Sequence, residues 1–83
     1  MNEAPLRSYL KRRFRGYRDN LPSTGELSGV VDSLGLFELV EFVEEEYDVK
    51  VPMAEFRPAR FSSIREILTL VDDLKNRPAN DQD

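Results

Sequence analysis

Apolar residues recur along this chain at helical spacing, in segments separated by turn formers. From Glu3 to about Arg15, Leu6, Tyr9, Leu10 and Phe14 fall on one face, and Pro5 suits the first turn of the helix they predict. Gly16 marks its end, with Tyr17 able to extend the apolar face. Asp19 to Val31 holds Asn20, Pro22, Ser23, Thr24, Gly25, Ser28 and Gly29, and reads as a loop. It is long for a connection in a small domain, so it is either functional or packed down, with Leu21, Leu27, Val30 and Val31 as plugs. From about Ser33 to Asp48, Leu36, Leu39, Val40, Val43 and Tyr47 follow the i, i+3, i+4, i+7 rule of a buried stripe. Val49-Lys50-Val51 is a short extended link. Pro52 can start and Pro58 must stop a short helix over Met53 to Arg57, with Phe56 and Phe61 pointing inwards. Ser63-Ile64-Arg65-Glu66 is a capping-box pattern. The helix it opens runs to about Lys75, with Ile64, Ile67, Leu68, Val71 and Leu74 on one face, and Pro78 ends it at the latest. The expected fold class is all-α: three main helices, a short third helix and a long first loop within residues 1–75, then a disordered polar tail at 76–83.

Composition removes options. At 83 residues the chain is expected to be one domain, near the lower limit for a core without staples. It has no histidine and no cysteine, which excludes disulfides, thiolate or imidazole metal sites and every Ser-His-Asp or Cys-His arrangement. No metal site is expected. No apolar run approaches the roughly 20 residues needed to span a bilayer, and Met1 to Pro5 does not resemble a signal peptide. A soluble, cytoplasmic monomer without membrane insertion is the expectation.

Charge adds one asymmetry. The net charge is −4, yet Arg7, Lys11, Arg12, Arg13, Arg15 and Arg18 crowd the beginning, opposed there by Glu3 alone. A basic helix can bind nucleic acid or an acidic membrane. The strongly acidic remainder would repel phosphates, so an internally paired or solvated face is favoured and no nucleic acid is expected. Docking to a partner enzyme is the second possibility.

The tripeptide Asp32-Ser33-Leu34 stands where the second helix should begin. Asp32 and Ser33 are both good N-cap residues, and a plain cap is the ordinary reading of such a pair. Ser33 as a nucleophile would need a base, and Lys11, Lys50 and Lys75 fall on solvent-facing or loop positions. A modified serine is another matter: free N–H groups and the positive end of the helix dipole suit a phosphate ester. Down this helix, Glu38, Glu41, Glu45 and Asp48 recur on another side, with Glu44 beside them.

The segment from Asp32 to Asp73 resembles the acyl and peptidyl carrier proteins. The match includes Asp32-Ser33-Leu34, Glu38-Leu39-Val40, Glu44-Glu45-Glu46-Tyr47, Val51-Pro52 and the Ser63-Ile64 start of the last helix. The resemblance implies a small four-helix bundle of carrier-protein type. It implies Ser33 as the attachment residue for 4′-phosphopantetheine from coenzyme A, flanked by Asp32 and Leu34. The arm would supply the thiol that the chain lacks and hold acyl or aminoacyl groups as thioesters, in fatty-acid, polyketide, nonribosomal-peptide or related biosynthesis. The chain would then be no enzyme but a substrate of a phosphopantetheinyl transferase, of an acyl or aminoacyl ligase and of a downstream synthase or transferase. The resemblance further implies Glu38, Glu41, Glu44 and Glu45 as recognition residues, with Leu34 and Leu36 as apolar contacts.

Departures narrow the subtype. Val30 stands where many members have glycine, Gly35 where fatty-acid carriers often have an acid, and Glu41 where they often have an exposed apolar residue. Val51-Pro52-Met53-Ala54-Glu55-Phe56, with Phe61 and Ser63, looks more like carriers of the D-alanyl type; a discrete carrier for a polyketide or nonribosomal pathway stays open. Bulky Phe37, Phe42, Phe56 and Phe61 imply that cargo stays mostly outside the bundle. The competing reading is a non-catalytic helical module that binds a basic partner through the acidic face of the second helix.

Overall fold

The computed structural model describes residues 2–76, and these form three α-helices with no strand among them. The helices are α1 (Ala4–Arg13), α2 (Ser33–Tyr47) and α3 (Ile64–Lys75). The all-helical fold expected from the sequence is borne out, with one change. The short helix expected over Met53 to Arg57 is a 3-10 turn, Met53–Glu55, and a second such turn, Pro58–Phe61, follows beyond the expected stop. Pro58 stops the first turn as expected, holding Arg57 in extended backbone (φ −136, ψ 146). The tail expected to be disordered lies, from residue 77 on, outside the described residues, as does Pro78. Asn76 closes α3, its N–H donating to the Asp72 carbonyl at 3.1 Å. Among the described residues no helix is long and apolar enough to cross a membrane.

α1 is held at its start by the Asn2 side chain, which accepts from the Ala4 N–H at 3.0 Å, and by the Glu3–Arg7 ion pair one turn apart at 2.9 Å. Lys11, Arg12 and Arg13 fill its last turn, where cations suit the negative end of the dipole. It stops at Arg13 rather than near Arg15, because Phe14 is extended (φ −122, ψ 121) and its ring leaves the helix for α2. Tyr17, beyond the helix, is buried, and its hydroxyl accepts from the Arg7 guanidinium at 3.0 Å.

α3 supplies the deepest part of the core. Ile64, Ile67, Leu70 and Val71 have no exposed surface, and each such side chain contributes about 1.5–3 kcal/mol by leaving water. Leu68 and Leu74, expected on the buried face, are only half-buried, and Leu70 takes the central place. Leu6 and Leu10 of α1, Leu39 and Val43 of α2, and Leu27 of the first loop complete the fully buried set. The capping pattern forms as read: Ser63 Oγ accepts from the Glu66 N–H at 3.1 Å.

The first loop is packed down. Leu27 is 1% exposed and its N–H donates to the Ser62 carbonyl at 2.8 Å, while the Arg65 N–H donates to the Ser23 carbonyl at 2.8 Å. These bonds tie the loop to the start of α3, and a tight turn from Leu27 to Val31 then delivers the chain to Asp32. α2 ends on Asp48, whose left-handed backbone (φ 55) is tolerated by aspartate better than by most side chains.

Candidate functional site

The start of α2 decides what Ser33 can do. Of the pair Asp32-Ser33, the structure uses Asp32 as the cap: its Oδ1 accepts from the Gly35 N–H at 2.7 Å, and its carbonyl accepts from Leu36 at 2.9 Å. Ser33 is thereby the first helical residue, exposed, and among the described residues its hydroxyl pairs with nothing. The first N–H groups of a helix have no partner within it. With Gly35 and Leu36 satisfied, those of Ser33 and Leu34 remain beside the serine oxygen. A group esterified there meets the positive end of α2.

Gly35 sits one residue beyond Leu34 because no side chain fits. The Phe14 ring packs against it, so that the end of α1 is fixed beside the serine. Tyr9 stacks on Phe42 with centroids 4.2 Å apart, and Tyr9 meets Phe14 edge to face at 6.1 Å. This aromatic row joins α1 to α2 along the flank of the acidic face.

An open cleft of about 360 Å³ lies on the other side of Ser33. Leu27, Val31 and Leu36 line it from the loop and α2, and Pro58 and Phe61 from the second 3-10 turn. Leu36 is half-buried in this wall, whereas Leu34 stands out 70% exposed. Two further apolar residues, missed as site candidates, are at the surface: Phe37 is 60% and Met53 85% exposed. Phe37 meets Phe56 edge to face at 5.0 Å, so Phe56 is half-buried at the surface, while Phe61 is in the core. The signal for Phe37 was available, since it falls outside the buried stripe of α2.

The candidate recognition carboxylates separate into two kinds. Glu41 and Glu45 are exposed, and so is Glu46, which the sequence reading did not single out. Glu38 is paired with the Arg13 guanidinium, whose hydrogen bond holds its carboxyl below the usual value. Glu44 is half-buried, and its Oε2 accepts from the Val51 N–H at 2.8 Å, fixing the link that follows α2. The paired face expected for the basic first helix is therefore present at Arg7, Lys11 and Arg13.

Three helices around one core, with an exposed serine at the N-terminus of the second, define a helical bundle of carrier-protein type. The comparisons agree. A probable acyl carrier protein, PigG, from a Serratia species is 35% identical over 81 residues, covering 94% of this chain and 93% of its own. D-alanyl carrier proteins are similar over a shorter stretch: that of Streptococcus uberis is 37% and that of Streptococcus sanguinis 35% identical over 49 residues, 59% of this chain and 62% of theirs. No family model matches the chain. The chain belongs to the acyl carrier protein family, as the resemblance of Asp32 to Asp73 implied.

Proposed function

We propose that this protein carries acyl or aminoacyl groups as thioesters on a 4′-phosphopantetheine arm esterified to Ser33. The observation that carries the reading is the division of labour at the start of α2, where Asp32 takes the cap and leaves the Ser33 hydroxyl exposed and unpaired. When bound, the group supplies the thiol that a chain without cysteine lacks. The chain's own residues present and orient. Asp32 and the Phe14–Gly35 contact fix the serine's backbone, the N–H groups of Ser33 and Leu34 would be free to donate to a phosphodiester, and the open cleft would keep an attachment clear of the core. Phe61 fills interior space and half-buried Phe42 packs against the core, which supports cargo lying against the bundle rather than inside it.

On this reading the chain is a substrate and shuttle rather than an enzyme. A phosphopantetheinyl transferase modifies it, a ligase loads it, and a synthase or transferase unloads it in the cytoplasm, where coenzyme A and ATP are available. Leu34, Glu41 and Glu45 form the face such enzymes meet. The similarity to D-alanyl carriers supports aminoacyl cargo, and the longer match to a probable acyl carrier protein supports acyl cargo.

The test is intact mass after incubation with coenzyme A, Mg²⁺ and a promiscuous phosphopantetheinyl transferase, with Ser33→Ala alongside. A gain of one phosphopantetheine in the wild type alone is expected. A folded wild type that gains nothing, either there or in a lysate of its own source, would leave the non-catalytic interaction module as the reading.

A further inference from the structure

The basic residues around the end of α1 have no use in the carrier reading. Some are satisfied internally: Arg7 by Glu3 and Tyr17, Lys11 by Asp19, and Arg13 by Glu38. Arg12 lies over the Tyr9 ring, 5.8 Å from its centroid, and Arg15 is exposed. Among the described residues neither Arg12 nor Arg15 has an acidic partner. Like charges gathered this closely repel one another, and no internal ion pair offsets the cost at these positions.

Packing brings the chain that follows Arg12 up to the start of α2. Phe14 is extended and its ring turns in to Gly35, with the Arg13 guanidinium lying over that ring, 5.0 Å from its centroid, and Arg15 exposed beyond it. Gly16 then lies along the loop before α2: a Cβ there would be 3.6 Å from the Gly29 carbonyl and 3.7 Å from the Val30 Cα. The segment 13–16 thus runs beside 29–35, which contains Ser33. Glu41 and Glu45 stand further down α2, and the Arg13–Glu38 pair marks the border between the two signs.

We propose that Arg12 and Arg15 form a second docking surface that receives an acidic stretch of the enzyme coming to Ser33, while cations of the same enzyme meet Glu41 and Glu45. The proposal rests on the carrier reading for its purpose and not for its binding chemistry. A protein surface of mixed sign fits better than a phosphate polymer, which would meet Glu41, Glu45 and a net charge of −4 beyond the rim. The pattern serves orientation: an enzyme docked end for end would set like charges against each other at both places.

The test is an amide NMR titration of the full chain at low salt with an oligoglutamate peptide, an oligolysine peptide and a single-stranded DNA oligonucleotide. Oligoglutamate should give saturable shifts at 12–16 and 29–31. These should vanish in Arg12→Glu/Arg15→Glu and persist in Arg12→Lys/Arg15→Lys, while oligolysine shifts 41–46 in all three proteins. The unperturbed remainder of each spectrum reports that the fold is intact. Absence of the oligoglutamate shifts in the wild type, or their survival in the reversal variant, would overturn the proposal. Tighter saturable binding of the DNA at the same residues would overturn it in favour of a nucleic-acid surface. Modification of Ser33 without oligoglutamate binding would remove the rim and keep the carrier; binding without modification would do the opposite.

Discussion

The Phe14 ring occupies the space that a side chain at Gly35 would need: a Cβ there would lie 2.5 Å from Phe14 Cε1 and 2.9 Å from Asp32 Oδ1. Glycine inside a helix costs roughly 0.5–1 kcal/mol relative to alanine. The φ at Gly35 is not positive, so backbone freedom is not the reason for it. Close approach is: the glycine lets the Phe14 ring and the capping carboxylate of Asp32 meet over the first turn of α2. The same contact accounts for the missing acid at this position, since no longer side chain fits while Phe14 is there.

Gly35→Ala should therefore destabilise the protein, although helix propensity alone would favour it. Overpacking costs typically about 1–3 kcal/mol, less the roughly 1 kcal/mol gained in propensity. A net loss of about 1 kcal/mol lowers Tm by roughly 4–8 °C in a domain of this size. Phe14→Leu relieves the closer of the two clashes, so the double variant should lose less than the sum of the two single losses. Thermal unfolding of the four proteins measures this; additive losses would mean that ring and glycine do not interact.

Much of this fold is legible in the sequence because local signals and burial agree. Ser63 and Glu66 announce α3, and the stripe from Leu36 to Tyr47 announces α2. The misses come from contacts that local pattern does not carry. The apolar spacing of α1 runs on through Phe14, yet the pocket over Gly35 draws that ring away and ends the helix at Arg13. Glu44 looks like its neighbours Glu41 and Glu45 in sequence, and only the path of the chain after Asp48 brings Val51 back to it. At the serine, two residues of equal capping ability stand side by side, and only geometry selects Asp32.

That selection separates the two residues by stability. Asp32→Ala removes the bond to the Gly35 N–H and should cost about 1 kcal/mol, the ordinary worth of an N-cap. Ser33→Ala removes an exposed hydroxyl without a partner, and such surface changes stay within about 0.5 kcal/mol. Chemical denaturation of both variants tests the assignment. A larger loss in Ser33→Ala than in Asp32→Ala would make Ser33 the cap and weaken its availability for modification.

Glu44 should behave as a structural residue in stability. Its carboxylate holds the Val51 N–H, so Glu44→Ala should cost about 1 kcal/mol or slightly more. Glu44→Gln keeps an accepting oxygen and should stay closer to the wild type. For Glu41, exposed and without such a bond, alanine and glutamine should both be near neutral. Equal losses in Glu44→Ala and Glu44→Gln would show that charge rather than the hydrogen bond to Val51 is what matters at this position.

The Arg13–Glu38 pair gives a pH dependence with a definite sign. The hydrogen bond from Arg13 lowers the Glu38 carboxyl from its ordinary value of 4.5. A carboxyl with a depressed folded pKa contributes stability above its unfolded pKa, and that contribution fades as pH falls below 4.5 through the folded value. Both side chains are exposed, so salt screens the effect. A side-chain carboxyl NMR titration should place the Glu38 midpoint lower in the wild type than in Arg13→Gln. Added salt should raise the wild-type midpoint and leave that of the variant nearly still. The same substitution frees Glu38, so the oligolysine footprint at 41–46 should extend back to residue 38 in Arg13→Gln. Equal midpoints in the two proteins would mean that Arg13 does not hold Glu38 in solution, and that the acidic face reaches the serine without a border.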